Sequence, residues 1–278
     1  MGANYCLSPA YLQYIYPMKI GIIGLGWLGL PLAKSLLSKG HQVLGTTRTR
    51  PVALSHECFS HILFDPSVKK QAGSAFFSDL DVLILAFTPS KEDHTTYAKD
   101  CARVLDQIST SCKVIHISST SIYPQRDGLY TEADYQAGTF KSNAIGYAEL
   151  FVSTMLRERL TILRMSGLVG PNRYPVTAMA KSGKTYQSME RVNLIHLEDA
   201  IGLIEWVIRK GLWNKTINGC ATEHPFKGPF YTKMAAKLGI EAPLFEDKIR
   251  SERVISNAYS IELGYSYLYS DPEQFPVA

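Results

Sequence analysis

The chain has 278 residues, 46% of them hydrophobic and 19% charged, with a formal net charge of +4. That length can bury a sizeable core as one large or two closely joined domains, and the composition excludes disordered and fibrous classes. The small basic excess contains no Lys/Arg run that would mark a nucleic-acid partner, and no apolar run approaches the roughly 18 residues of a membrane span. Residues 1–17 carry no charge and lack the positive start and continuous apolar core of a secretory signal; because Met18 immediately precedes the next strand, it reads as the functional start, with 1–17 a leader or a mis-called start. Ile20 to Ile23 then reads as a strand running into Gly24-Leu25-Gly26-Trp27-Leu28-Gly29. Trp27 to Lys39 reads as a helix stopped by Gly40. Further strands are expected at Gln42–Thr46, Ile62–Phe64, Asp81–Phe87, Lys113–Ser118 and Leu160–Arg164, and helices at Ser90–Ile108, Asn143–Arg159, Asp199–Lys210 and Pro229–Leu238. Strands alternating with helices predict an α/β fold with a doubly wound parallel sheet.

A strand that turns through glycines into a helix leaves backbone N–H groups and the positive end of a helix dipole at the turn, which suits a pyrophosphate. In such a Rossmann-type turn Gly24 permits the tight bend, Gly26 the close approach of phosphate, and Gly29 close helix-to-strand packing, with Trp27 and Leu28 completing the loop. The end of the second strand reads the adenine ribose, where an acidic residue accepts from a free 2′-hydroxyl and Arg favours a 2′-phosphate. Between Gly29 and Glu57 there is no Asp or Glu, whereas Thr47, Arg48 and Arg50 are present. NADP(H) is therefore expected over NAD(H), a solvated basic turn being the alternative. Asp65 is a candidate acceptor for the adenine amino group or, equally, the cap of a following helix.

Five cysteines, Cys6, Cys58, Cys101, Cys112 and Cys220, are scattered without a C-x-x-C pair, so neither a disulfide framework nor a metal site is expected. A reduced cytoplasm is the natural compartment.

By Ser118 to Pro124 the chain resembles the short-chain dehydrogenase/reductase superfamily, in its extended branch of NAD(P)-dependent epimerases and dehydratases, and the resemblance covers essentially Met18 to the C-terminus. Ser118 to Pro124, SSTSIYP, is similar to that family's loop after strand five, and Asp127 to Glu132 to its acidic loop before the next helix. Leu163 to Arg173 is similar to its R-x-x-G-x-Y-G-P-x-R segment, and Asn193 to Asp199 to N-x-I-H-x-x-D. Thr216-Ile217-Asn218 and Glu223-His224-Pro225 are similar to its later turn. The glycine loop resembles the atypical subgroup with G-x-G-x-x-G. The resemblance implies a Rossmann domain over 18–165 and a smaller substrate lobe over 166–278, some of whose segments return to the sheet.

The resemblance further implies a nicotinamide near Ala86, Phe87, Thr88, Pro89 and Ser119, with Met165 to Leu168 shaping its pocket. Substrate, a small polar molecule or a nucleotide sugar, would enter between domain and lobe. Ser119 matches the family's catalytic Ser/Thr, with Thr120 its neighbour, although a turn hydroxyl is the other reading. Arg173 and Arg191 are candidates for an anionic substrate group, or surface arginines. The family's Tyr-x-x-x-Lys pair is missing: none of the sixteen Tyr residues precedes a Lys by four positions. Tyr147, Tyr123 and Lys141 are candidate replacements for its proton donor. His196 reads as structural, Asp199 as the cap of its helix, and Ile201, Ile204 and Ile208 as core. Without the pair, a catalytically inactive NADP(H) sensor is the competing reading.

Overall fold

The computed structural model describes residues 17–68, 74–89, 94–135 and 143–277. In chain order the elements are β1 (Lys19–Ile23), α1 (Gly29–Ser38), β2 (Gln42–Thr47), β3 (Phe59–Leu63), α2 (Ser74–Phe77), β4 (Val82–Leu85), α3 (His94–Leu105), β5 (Lys113–Ser119), β6 (Gly128–Tyr130) and α4 (Ala144–Leu156). There follow β7 (Leu160–Met165), β8 (Gly167–Val169), α5 (Pro175–Lys181), β9 (Thr185–Glu190), β10 (Leu194–His196), α6 (Leu197–Lys210), β11 (Lys215–Gly219), α7 (Lys227–Leu238), β12 (Leu244–Ser251), β13 (Arg253–Ile255) and α8 (Ala258–Glu262). Residues 1–16 of the expected leader, the start of the expected Ser90 helix and Lys141 lie outside the described residues.

Seven strands form the central sheet in the order β11-β7-β5-β4-β1-β2-β3, the doubly wound α/β architecture expected. Strand β1 pairs in parallel with both β2 and β4, so the order reverses beside it. In such sheets ligands bind beyond the carboxyl ends of the strands at this switch point. Every residue of β4 is buried, as are Ile20, Ile22 and Ile23 of β1, because a parallel sheet covered on both faces needs continuous rather than alternating apolar runs.

Two compact units interleave along the chain. One comprises Met1–Ile117, Lys141–Ile162 and Ile204–Lys215; the other comprises Ser118–Phe140, Leu163–Leu203 and Thr216–Ala278. The chain crosses between units repeatedly, and α4 and the end of α6 belong to the first unit.

In the first unit, α1 buries Leu32, Ala33, Leu36 and Leu37, one face at helical spacing. Each buried Leu contributes about 1.5–3 kcal/mol. The helix ends where Gly40 takes φ +83°, with Gly40 N–H donating to Leu37 O and His41 N–H to Leu36 O. Helix α4 starts one residue after the expected Asn143, whose Oδ1 accepts from Ile145 N–H at 2.9 Å as an N-cap.

The second unit packs Val169, Tyr174, Leu194, Phe230 and Phe275 into its own core. Around that core run three two-stranded parallel ladders, β8 with β10, β9 with β12 and β6 with β13. Among the described residues no helix is long and apolar enough to cross a membrane.

Two local expectations are corrected. The third strand spans Phe59–Leu63, ahead of the expected Ile62–Phe64, because β2 extends through Thr47 and pairs Val43 with Phe59. Asp199 does not cap α6, which begins two residues earlier; its carboxylate accepts instead from Leu268 N–H at 2.6 Å and Tyr269 N–H at 3.0 Å.

Candidate functional site

The glycine turn follows β1 directly. Gly24 takes φ +103°, a conformation that L side chains rarely adopt, and an added methyl there would lie 3.0 Å from Ala86 O. The Ala86 loop after β4 is thereby brought against the turn, and Ala86 N–H donates to Ile23 O at 2.9 Å. The end of β2 is attached on the other side: Leu25 N–H donates to Thr46 O at 2.8 Å and Gly24 N–H to Thr46 Oγ1 at 3.2 Å.

The three glycines hold three distinct environments. A methyl at Gly29 would lie 2.1 Å from Gly24 O, so helix and turn approach as closely as backbone allows. A methyl at Gly26 would meet nothing within 4 Å, so this exposed position opens onto free space. Leu30 N–H donates to Gly26 O at 3.0 Å, and the residues between open the first helical turn. No side chain caps α1 at Leu28, and no acidic residue lies in its first turn. Leu30 N–H is thus taken, while the N–H groups at such a helix start carry the positive end of the dipole, so this end suits an anion. The open cradle at Gly26 fits the pyrophosphate of a dinucleotide.

At the end of β2, Arg48, Thr49 and Arg50 are exposed. Thr47 Oγ1 donates to Arg50 O at 2.5 Å and lies 2.8 Å from His61 Nε2. The Asp65 carboxylate accepts from Ser67 N–H at 2.9 Å and Ser67 Oγ at 2.8 Å, which closes a turn rather than capping a helix. Phe87 and Pro89 are half-buried and Thr88 exposed. Phe87 O accepts from Tyr97 OH at 2.9 Å, and the Tyr97 ring stands edge-on to Phe87 with centroids 5.1 Å apart. Behind Tyr97 lies the fully buried His116, whose Nε2 is 3.3 Å from the phenol. Burial lowers the His116 pKa to about 4.

The remaining candidates belong to the second unit. Half-buried Ser119 accepts at Oγ from Ser121 N–H at 3.1 Å, capping a short 3₁₀ turn over Thr120–Ile122, and keeps its own proton for donation. Buried Thr120 directs its hydroxyl to Ser166 Oγ at 3.4 Å. Arg253 holds this loop, donating from Nε to Pro124 O at 2.8 Å and from Nη2 to Thr120 O at 3.0 Å.

Tyr123 is buried and donates to Asn218 Oδ1 at 2.8 Å while accepting from Arg164 Nη1 at 2.9 Å. Burial pushes its phenol up despite the neighbouring guanidinium. Arg191 donates to Glu252 Oε2 at 2.7 Å and His224 O at 3.0 Å and lies 3.8 Å over the Phe226 ring, so its guanidinium faces protein groups rather than open space. Arg173 is exposed beside the turn at Gly170. His196 is buried against Tyr269 and Phe275, with Nδ1 accepting from Glu198 N–H at 3.3 Å. Tyr147 packs half-buried on the first unit's core. His61, Tyr97, His116 and Arg253 were not among the sequence candidates; only contacts distant in sequence bring them to these loops.

Across 93% of this chain and 99% of its relative, the sequence is 32% identical to Protein YeeZ of Escherichia coli strain K12. The chain belongs to the YeeZ family. Residues 19–138 of this YeeZ-family chain also match the model of the NAD binding domain of 6-phosphogluconate dehydrogenase. Among solved structures it is similar to epimerase Mth375 from Methanothermobacter thermautotrophicus, with a TM-score of 0.76 and 12% identity over 95% of this chain and 91% of that one. It is likewise similar to UDP-glucuronic acid 4-epimerase from Bacillus cereus in complex with NAD, with a TM-score of 0.73 and 18% identity over 92% and 95%. At such identities the likeness is one of fold. This chain thus has a Rossmann-type domain that matches an NAD-binding model, in a fold shared with epimerases and dehydratases.

Proposed function

We propose that the chain binds NADP(H) and acts as a short-chain dehydrogenase/reductase-like enzyme of the epimerase/dehydratase type, on a small polar or nucleotide-sugar substrate. The observation that carries the reading is the cradle: Gly24 at φ +103°, Gly29 packed against Gly24 O, and Gly26 opening onto free space at an uncapped helix start. Gly26 to Gly29 would hold the pyrophosphate through backbone N–H groups. Arg48 and Arg50, on a turn without carboxylates, support the 2′-phosphorylated cofactor, which a guanidinium grips in bidentate fashion. When bound, the nicotinamide supplies hydride exchange. Ser119, whose cap bond leaves its proton available, would donate a hydrogen bond to a substrate oxygen.

A second reading, a cofactor-binding sensor without turnover, is favoured by one observation: Tyr123 is locked between Arg164 and Asn218, and no Tyr-x-x-x-Lys pair replaces it. Fluorescence titration with NADPH and NADH, with Trp27 as a reporter inside the loop, tests the premise that both readings share. Binding of neither cofactor, or tighter NADH, would sink it. A screen of carbonyl compounds and sugar nucleotides, followed by nicotinamide absorbance, then separates enzyme from sensor.

A further inference from the structure

Thr47 sits at a junction. Its backbone carbonyl accepts from Phe64 N–H at 2.8 Å, and its hydroxyl meets both Arg50 O and His61 Nε2. A threonine hydroxyl has one proton. Because Oγ1–H is directed to Arg50 O, the contact with His61 requires Nε2–H to be the donor, which fixes the imidazole tautomer. Strand β3 therefore holds β2 by a side-chain chain, His61 Nε2–H to Thr47 Oγ1–H to Arg50 O, that closes the turn carrying Arg48 and Arg50.

The geometry of the strands directs that turn. His61 pairs with Gly45, two residues before Thr47, so the three share one face of the sheet. A methyl at Gly45 would lie 2.3 Å from Leu25 Cδ1, so this is the face that the glycine turn covers. Among the described residues, the Arg48 and Arg50 side chains have no hydrogen-bond or ion-pair partner. Two unpartnered guanidiniums thus follow a strand end that is fixed at three points, beside the proposed pyrophosphate cradle.

We infer that Thr47 and His61 are positioning residues for cofactor choice: they touch no phosphate themselves but hold the Arg48–Arg50 turn in the shape that grips a 2′-phosphate. The inference rests on the reading of this turn as the 2′-phosphate site. It also reassigns Thr47, whose only proton is directed into the turn, from ligand to support.

The test is a set of dissociation constants for NADPH and NADH on the full chain. In the wild type NADPH binds tighter. Thr47→Val keeps the volume and removes the hydroxyl, and His61→Leu removes the donor; each is expected to weaken NADPH about five- to tenfold, as loss of one polar tie on a charged site implies, while leaving NADH within about twofold. Thr47→Ser and His61→Gln keep a hydroxyl and an N–H donor and are expected to retain the wild-type ratio. An unchanged NADPH-to-NADH ratio in both Thr47→Val and His61→Leu overturns the inference, as does equal weakening of both cofactors. Should either of those variants fail to fold, the Ser and Gln variants decide, a collapsed ratio in both overturning the inference. A wild type that prefers NADH removes the 2′-phosphate reading and this inference together, whereas failure of the variants alone leaves that reading standing.

Discussion

Gly26→Ala separates binding from folding. The added methyl meets nothing within 4 Å and the position is not one of positive φ, so the folded chain accepts the side chain without strain. Removing a glycine's freedom from the unfolded chain contributes about 0.4–1 kcal/mol to stability, a rise in Tm of about 1–4 °C for a protein of this size. The same methyl occupies the space through which a pyrophosphate must approach the turn. If two charge-assisted hydrogen bonds from backbone N–H groups are lost, at about 1.5 kcal/mol or more each, NADPH affinity falls at least about a hundredfold. Thermal unfolding with and without NADPH, together with fluorescence titration, measures both quantities on one preparation. An unchanged NADPH affinity would refute the cradle; a large fall in the cofactor-free Tm would refute the open space at Gly26.

Gly29→Ala should do the reverse at the level of stability: its methyl, 2.1 Å from Gly24 O, forces a backbone shift costing about 1–3 kcal/mol, seen as a lower cofactor-free Tm. Arg48→Ala should weaken NADPH about tenfold and leave NADH unchanged; equal effects on both cofactors would remove Arg48 from the 2′-phosphate site. His116, lowered by burial to about 4, stays neutral in the fold while its unfolded form takes up a proton near pH 6.5. Its contribution is therefore complete above that pH and declines as pH falls toward 4, by up to about 1.4 kcal/mol per unit. Urea unfolding across this range should give a shallower slope for His116→Gln, the remainder including His41, His196 and His224, which burial also lowers, opposed by Glu132 and Asp199, which burial raises. Once a substrate is found, Ser119→Ala should reduce turnover about tenfold or more, beyond the roughly 1 kcal/mol of stability that loss of a cap costs; unchanged turnover would leave Ser119 as a cap alone.

The cradle was legible because its determinants are local. Gly24, Gly26 and Gly29 act within six residues, and the strand before and helix after them announce themselves by apolar period. The sheet was legible for a similar reason, since β4 is a continuous apolar run that only a doubly covered strand tolerates. Strand β3 was less so. Phe59-Ser60-His61-Ile62-Leu63 mixes polar and apolar residues at a sheet edge, and its true register is set by pairing with Gln42–Thr47. A strand read from Ile62 leaves His61 outside it and hides a side chain that reaches Thr47. The same limit concealed Arg253, more than 120 residues away in sequence from the Thr120 and Pro124 carbonyls it holds. It also obscured Asp199, whose partners Leu268 and Tyr269 lie about 70 residues on.

The replacement for the missing Tyr-Lys pair is constrained by proton accounting in the second unit. Tyr123 carries the right group in the wrong setting: its proton is directed to Asn218 Oδ1, its oxygen already accepts from Arg164, and burial holds the phenol neutral. Removing that proton would leave a buried phenolate while stranding the Asn218 acceptor, which costs more than the Arg164 charge offsets. Arg164 in turn donates to Glu132 O, and Glu132 Oε1 accepts from Asn218 N–H, so the four groups form one closed network that stabilises the fold. Ser119 is different, because its single described bond is one it accepts. A serine hydroxyl is too weak an acid to exchange protons unaided, yet it can donate a hydrogen bond to a carbonyl or hydroxyl oxygen without giving up its proton. Under the enzyme reading, Ser119 would therefore orient and polarise the substrate, and the exchanging proton would come from a group other than Tyr123. Tyr123→Phe should then leave the shape of the pH–turnover profile unchanged, and loss of a limb in that variant would return Tyr123 to the mechanism.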